Sequence, residues 1–179
     1  MKLVDRVKDI LLNPKAEWPK IEPEAETTQS LYTGYILILA AIGPVAMLIR
    51  SPFLGGVIAI VSFVIALGIT YVVALIVDAL ATTFGGEKNF MQSLKLVAYS
   101  YTAVWVAGIF HVLGRLGGLV GLLAAIYSLY TFYLGVQVMK KCPADKAVAY
   151  TLVVMACVIL LGVLVFGVIF STFMGAMFM

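Results

Sequence analysis

Five long, nearly uninterrupted apolar runs, at 31–49, 53–84, 94–113, 116–139 and 147–179, constrain this chain more than any other feature. Crossing a hydrocarbon core roughly 30 Å thick takes about 20 apolar residues at about 1.5 Å each, and every run is close to that length or beyond it. A soluble domain carries about 25% charged residues; this chain has 12%, with a mean hydropathy of +1.10. The expectation is an all-α polytopic membrane protein with five transmembrane helices, each closing its own backbone hydrogen bonds as lipid requires. The last run would stretch about 50 Å as one straight helix, so it must tilt, protrude or break near Gly162 or Gly167. A break there would give a sixth pass.

Lysine and arginine set the orientation, because short loops rich in them stay cytoplasmic. Ten of the 12 fall in the segment before the first span (Lys2, Arg6, Lys8, Lys15, Lys20), in the second loop (Lys88, Lys95) and in the fourth (Lys140, Lys141, Lys146). Arg50 and Arg115 stand on the other side. This arrangement predicts a multi-pass protein of the inner or plasma membrane, N-terminus cytoplasmic and C-terminus outside. The net charge of +3 is then a topology signal rather than a footprint for nucleic acid. The first apolar cluster, Ile10-Leu11-Leu12, is too short for a cleavable signal peptide. Cys142 in a cytoplasmic loop and Cys157 inside the last span are not expected to form a disulfide.

The chain divides into residues 1–30, an amphipathic cytoplasmic segment, and residues 31–179, the five-helix domain. Leu3, Val7, Ile10 and Leu11 recur every three or four residues, with Asp5, Arg6, Lys8 and Asp9 opposite, which predicts an amphipathic helix lying in the headgroup layer. Pro14 is expected to end it, with Pro19 and Pro23 keeping the connection extended. Trp18, Lys15 and Lys20 read as interfacial anchors, the indole N–H wet and the lysines reaching lipid phosphates. A docking surface for a protein partner is the sharper reading of the same segment.

No chemical motif stands out. There is no phosphate-binding glycine loop, no His-Glu-x-x-His, and one histidine cannot complete a triad or a usual zinc site, so no catalytic residue, metal or cofactor is assigned. Asp78 is the one acidic residue inside a span, where a charge costs roughly 2.5–3.5 kcal/mol at mid-membrane, so it is either interfacial and internally bonded or a binding carboxylate. With Tyr99, Tyr101, Tyr130, Tyr133 and Gln137 it forms the candidate intramembrane polar site, since buried hydroxyls need partners. Trp105 and Tyr127 accompany that row. His111 reads as an interfacial imidazole near the outer face. Gly114, Gly117, Gly118 and Gly121 read as a small-residue packing row between the third and fourth spans, and Gly85-Gly86 as a helix stop.

The stretches Phe84-Gly-Gly-Glu-Lys-Asn-Phe90, Leu96-Val-Ala-Tyr-Ser-Tyr101 and Ile126-Tyr-Ser-Leu-Tyr-Thr-Phe-Tyr-Leu-Gly135, with Asn13-Pro and Trp18 ahead of the first span, resemble the Yip family of small membrane proteins. That resemblance implies five spans and a cytoplasmic N-terminus, as in prokaryotic members. The Asp-Leu-Tyr-Gly-Pro stretch of eukaryotic members is absent, and Ala103 stands where prokaryotic relatives carry a proline, so Ypt/Rab GTPase binding is not carried over. Two functions follow as expectations: a non-enzymatic scaffold or adaptor in membrane organisation or trafficking, with the lipid bilayer, a protein partner at the N-terminal segment and a homo-oligomer as its associations; or a small transporter or channel using Asp78 and the tyrosine row.

Overall fold

The computed structural model describes the backbone of residues 2–177 and the side chains of these except 52–55, 169–170 and 172–177. Two short helices, α1 (Leu3–Leu12) and α2 (Pro14–Ile21), precede five long apolar segments: α3 (Thr28–Arg50), α4 (Pro52–Leu80), α5 (Phe90–Leu113), α6 (Arg115–Met139) and α7 (Ala144–Met177). Each of the five includes a stretch long and apolar enough to cross a membrane. No strand occurs among the described residues. The last segment runs as one helix through Gly162 and Gly167, so of the three alternatives for its length the break does not occur, and tilt or protrusion remains.

Local chemistry places the ends. Thr27 and Ser30 form a reciprocal capping box that starts α3, each side chain accepting from the other's backbone N–H. A wider π turn at Tyr32–Ile36 follows. Helix α4 tightens into a 3-10 turn at Ala81–Phe84 and stops at Gly85, whose φ of +75° is the left-handed conformation a helix stop favours. Gly86 then lies so close to the Lys140 carbonyl that a Cβ would come within 2.8 Å of it. Asn89 caps α5, its side chain accepting from Gln92 N–H.

Helix α5 is the centre of the bundle. More than half of it is buried, against 11–28% of the other spans, and Ser93 through Ser100 are buried without exception. It interrupts its α-helical pattern at Tyr101 and winds as 3-10 over Gly108–Leu113. There Gly108 meets Gly43 of α3 so closely that a Cβ would sit 2.9 Å from the Gly43 Cα. The outer faces of the other spans carry exposed residues such as Ile60, Val64, Leu123, Ile126, Leu160 and Leu164. In a membrane these faces meet acyl chains, so the bilayer is a direct partner of the fold.

The first thirty residues pack into the same core. Helix α1 has the expected amphipathic spacing, with Ile10 buried and Leu3, Val7 and Leu11 packed against the bundle. The connection after it is not extended as expected: Pro14–Ile21 is a second helix. Proline at the first helical position loses only an N–H that would be unpaired anyway, and Asn13 caps the turn by accepting from Ala16 N–H. Pro19 falls near the end of this short helix, where it removes a single bond.

Candidate functional site

Two polar clusters lie at the lysine-rich end of the bundle, where the second and fourth loops meet through the Glu87 N–H and the Lys140 carbonyl, 2.8 Å apart. The first is built on Asp78, in the last turns of α4. Its Oδ1 accepts from Lys140 Nζ at 2.9 Å, Asn89 N–H at 2.8 Å and Ser93 Oγ at 3.1 Å. Lys140 also donates to Ser93 Oγ at 2.8 Å and to the Asn89 carbonyl at 3.1 Å, so all three ammonium donors are used. The two charges differ in access to water: the Lys140 side chain is 0% exposed and that of Asp78 21%. Burial holds the Lys140 ammonium below the usual lysine value, opposed by the attraction of Asp78. Next to it Lys141 adopts φ +50° and pairs with Glu87 at the surface.

The second cluster fastens the N-terminal segment. Lys95, buried in α5, donates to the carbonyls of Ile21 (2.8 Å), Glu22 (3.1 Å) and Glu24 (2.9 Å). These lie at and beyond the end of α2, where carbonyls lack helical partners and a cation is favoured. Arg6, on the inner face of α1, pairs with Glu17 and Glu24. Its desolvation is outweighed by these carboxylates, and its pKa rises above the usual value. Gln92 donates to the Glu22 carbonyl, and the Tyr127 hydroxyl to the carbonyl of Leu11 at 2.7 Å. A small polar cavity of about 210 Å³ lies beside this cluster, walled by Arg6, Glu24, Glu26, Tyr35 and Tyr99.

Trp18 corrects the interfacial assignment most sharply. Its ring is fully buried, edge-on to Tyr99, and its indole N–H donates to the Thr131 carbonyl at 3.1 Å rather than to water. It seats against Gly135, where a Cβ would come within 2.5 Å of the ring. Lys15 is exposed, and Lys20 is exposed but pairs with the buried Glu17 at 2.8 Å.

The residues of the candidate polar site do not converge. Asp78 belongs to the Lys140 cluster. Tyr99 belongs to the other, donating to Glu26 and packing edge-on to Tyr35. Tyr101 lines a separate apolar groove, Tyr130 is half-exposed beside Tyr127, and Gln137 donates to the Tyr133 carbonyl of its own helix. The glycine row is corrected in part. Gly117 abuts the Phe110 carbonyl and Gly114 takes φ +64° beside Arg50, but Gly118 and Gly121 face open space. His111 is exposed, its Nδ1 2.7 Å from the Gly108 carbonyl. No metal-binding group of His, Cys, Asp and Glu exists among the described residues.

Lys95, Lys140, Glu17 and Gly135 are the residues sequence reasoning missed. Their signal was weak but present: Lys95 interrupts an apolar run, and Gly135 stands where a helix face is otherwise bulky.

No curated protein and no solved structure matches the chain. The family model for the Yip1 domain matches residues 8–178. That match takes in α2 and its tryptophan as well as all five spans, and with it the chain belongs to the Yip1-domain family of multi-pass membrane proteins.

Proposed function

We propose that the protein is a non-enzymatic scaffold or adaptor in membrane organisation or trafficking, which presents its folded N-terminal segment to a protein partner on the cytoplasmic side of the cell membrane. The observation that carries this reading is the fastening of that segment by Lys95, Arg6 and Trp18, which holds α1 and α2 in one geometry while Lys2, Asp5, Lys8, Lys15 and Lys20 stay exposed. A polar surface held rigid loses little entropy on association, which is the property a docking platform needs. The lysine count at the same end supports its cytoplasmic placement. The alternative of a transporter is weakened by Asp78, whose Oδ1 accepts three internal hydrogen bonds.

The test is retention of an equimolar partner by the purified protein. Deletion of residues 1–20 is expected to abolish it, and the paired surface changes Lys8→Glu and Lys15→Glu, which touch no buried contact, are expected to weaken it at least tenfold. Undiminished retention by both variants would refute the docking role. Solute or ion flux from purified protein in vesicles, lost in Asp78→Asn, would move the assignment to transport.

A further inference from the structure

A groove of about 620 Å³ lies between α4, α5, α6 and α7, within the membrane-spanning segments. Its walls are mostly apolar or aromatic, with Val97, Trp105, Phe132 and Val154 among them, and no charged side chain lines it. Beyond it the outer half of α7 exposes Leu160, Val163 and Leu164, so the groove draws its contents from the hydrocarbon rather than from water.

Four hydroxyl side chains line this groove, and they differ in how they are satisfied. Thr70 and Thr151 donate back to their own helices, to the carbonyls of Ala66 (2.7 Å) and Ala147 (2.8 Å). Ser128 is 6% exposed and its hydroxyl is buried with no hydrogen-bond partner. The Tyr101 hydroxyl has none among the described residues either, although its ring packs edge-on to Trp105. An unmade hydrogen bond in hydrocarbon has no water to replace it. Both residues stand about halfway along their spans, Tyr101 in Phe90–Leu113 and Ser128 in Arg115–Met139.

These features define a ligand. It is neutral, because no charge faces it. It is largely apolar, because the groove is. It carries a hydrogen-bond acceptor that resides in the middle of the bilayer and is flat enough to lie against aromatic edges. A phospholipid fails the third condition, since its ester oxygens stay near the headgroups. We propose that the groove binds an isoprenoid quinone, a ring carbonyl accepting from the Tyr101 hydroxyl, the ring against Trp105 and the branched tail filling the remaining apolar space. The inference is of binding alone and stands independently of the scaffold reading.

Trp105 supplies the assay, because quinones quench indole emission and the chain has 2 tryptophans, the other being Trp18 in its own pocket. Protein in nanodiscs at one copy per disc is titrated with a benzoquinone bearing a two-isoprene tail. The expected result is saturable quenching that Trp105→Phe removes and Tyr101→Phe weakens about three- to tenfold, the worth of one neutral hydrogen bond. Ala125→Phe, at an exposed position on the groove wall where a larger ring disturbs no packing, is expected to abolish it. Quenching that rises linearly without saturation would overturn the proposal. So would equal saturation in Tyr101→Phe and Ala125→Phe, or equal competition by squalene, which has the tail but no carbonyl. Cross-linking that seats a second copy of the chain on residue 125 would overturn it as well.

Discussion

Removing the charge of Asp78 is expected to destabilise the protein more than removing that of Lys140, although the two form one ion pair. Asp78→Asn keeps the shape, and its amide oxygen still accepts from Asn89, Ser93 and Lys140, but it leaves a fully buried ammonium facing neutral oxygens alone, with no countercharge. Breaking a buried pair this way costs roughly 3–5 kcal/mol, and partial access of water to the site reduces the figure to about 2–3 kcal/mol. Lys140→Met leaves a carboxylate that keeps two donors and touches water, a loss nearer 1 kcal/mol. The double variant is therefore expected to cost clearly less than the two changes added together. A pH dependence follows. Burial lowers the Lys140 pKa in the folded protein, so between that lowered value and the ordinary lysine value of about 10.4 the unfolded chain binds the extra proton and stability rises with pH. Asp78 opposes the lowering, so Asp78→Asn widens the window and recovers part of its loss as pH climbs from 7 towards 10. Reversible unfolding in mixed micelles, followed by tryptophan emission, measures all four species. Equal losses in the two single variants, strict additivity, or a pH-independent Asp78→Asn loss would refute the reasoning.

Gly135→Ala drives a methyl into the Trp18 ring and Leu96, and is expected to cost about 1–3 kcal/mol, while Gly118→Ala and Gly121→Ala stay within about 0.5 kcal/mol; the same unfolding assay separates them. Trp18 emission is expected at short wavelength and shielded from acrylamide, a result that a wet interfacial indole would reverse. Cys142 is buried and its thiol is pushed up, chiefly by burial and further by Asp145, so less thiolate exists at neutral pH. Maleimide at pH 7.5 is expected to label it at least tenfold more slowly than a cysteine placed at exposed Lys146.

The spans were legible because hydrocarbon imposes one demand, a long apolar helix, that composition alone can reveal. Boundaries moved by only a few residues where polar caps such as Thr27 and Asn89 extend a helix beyond its apolar run. Side-chain partners were not legible, because pairing across a bundle depends on which helices become neighbours. Lys95 and Lys140 counted equally with Lys88 as loop charges, yet two of them are buried and one is exposed. Trp18 misled for a related reason. An amphipathic ring ahead of a first span suits an interface as well as it suits a pocket, and only the gap left by Gly135, far along the chain, distinguishes the two.

That distance also orders assembly. The carbonyl that receives the Trp18 indole lies 113 residues downstream, and the Lys95 ammonium that secures the end of α2 lies more than 70 residues beyond it. A chain inserted from its N-terminus makes its first helices early and has nowhere to seat them until the fourth span is in place. During that interval the apolar face of α1 and the tryptophan have only the membrane surface or a helper protein to rest on. Docking of the earliest-made segment is thus a late event, and it can occur only on a bundle whose central helices are already correctly joined.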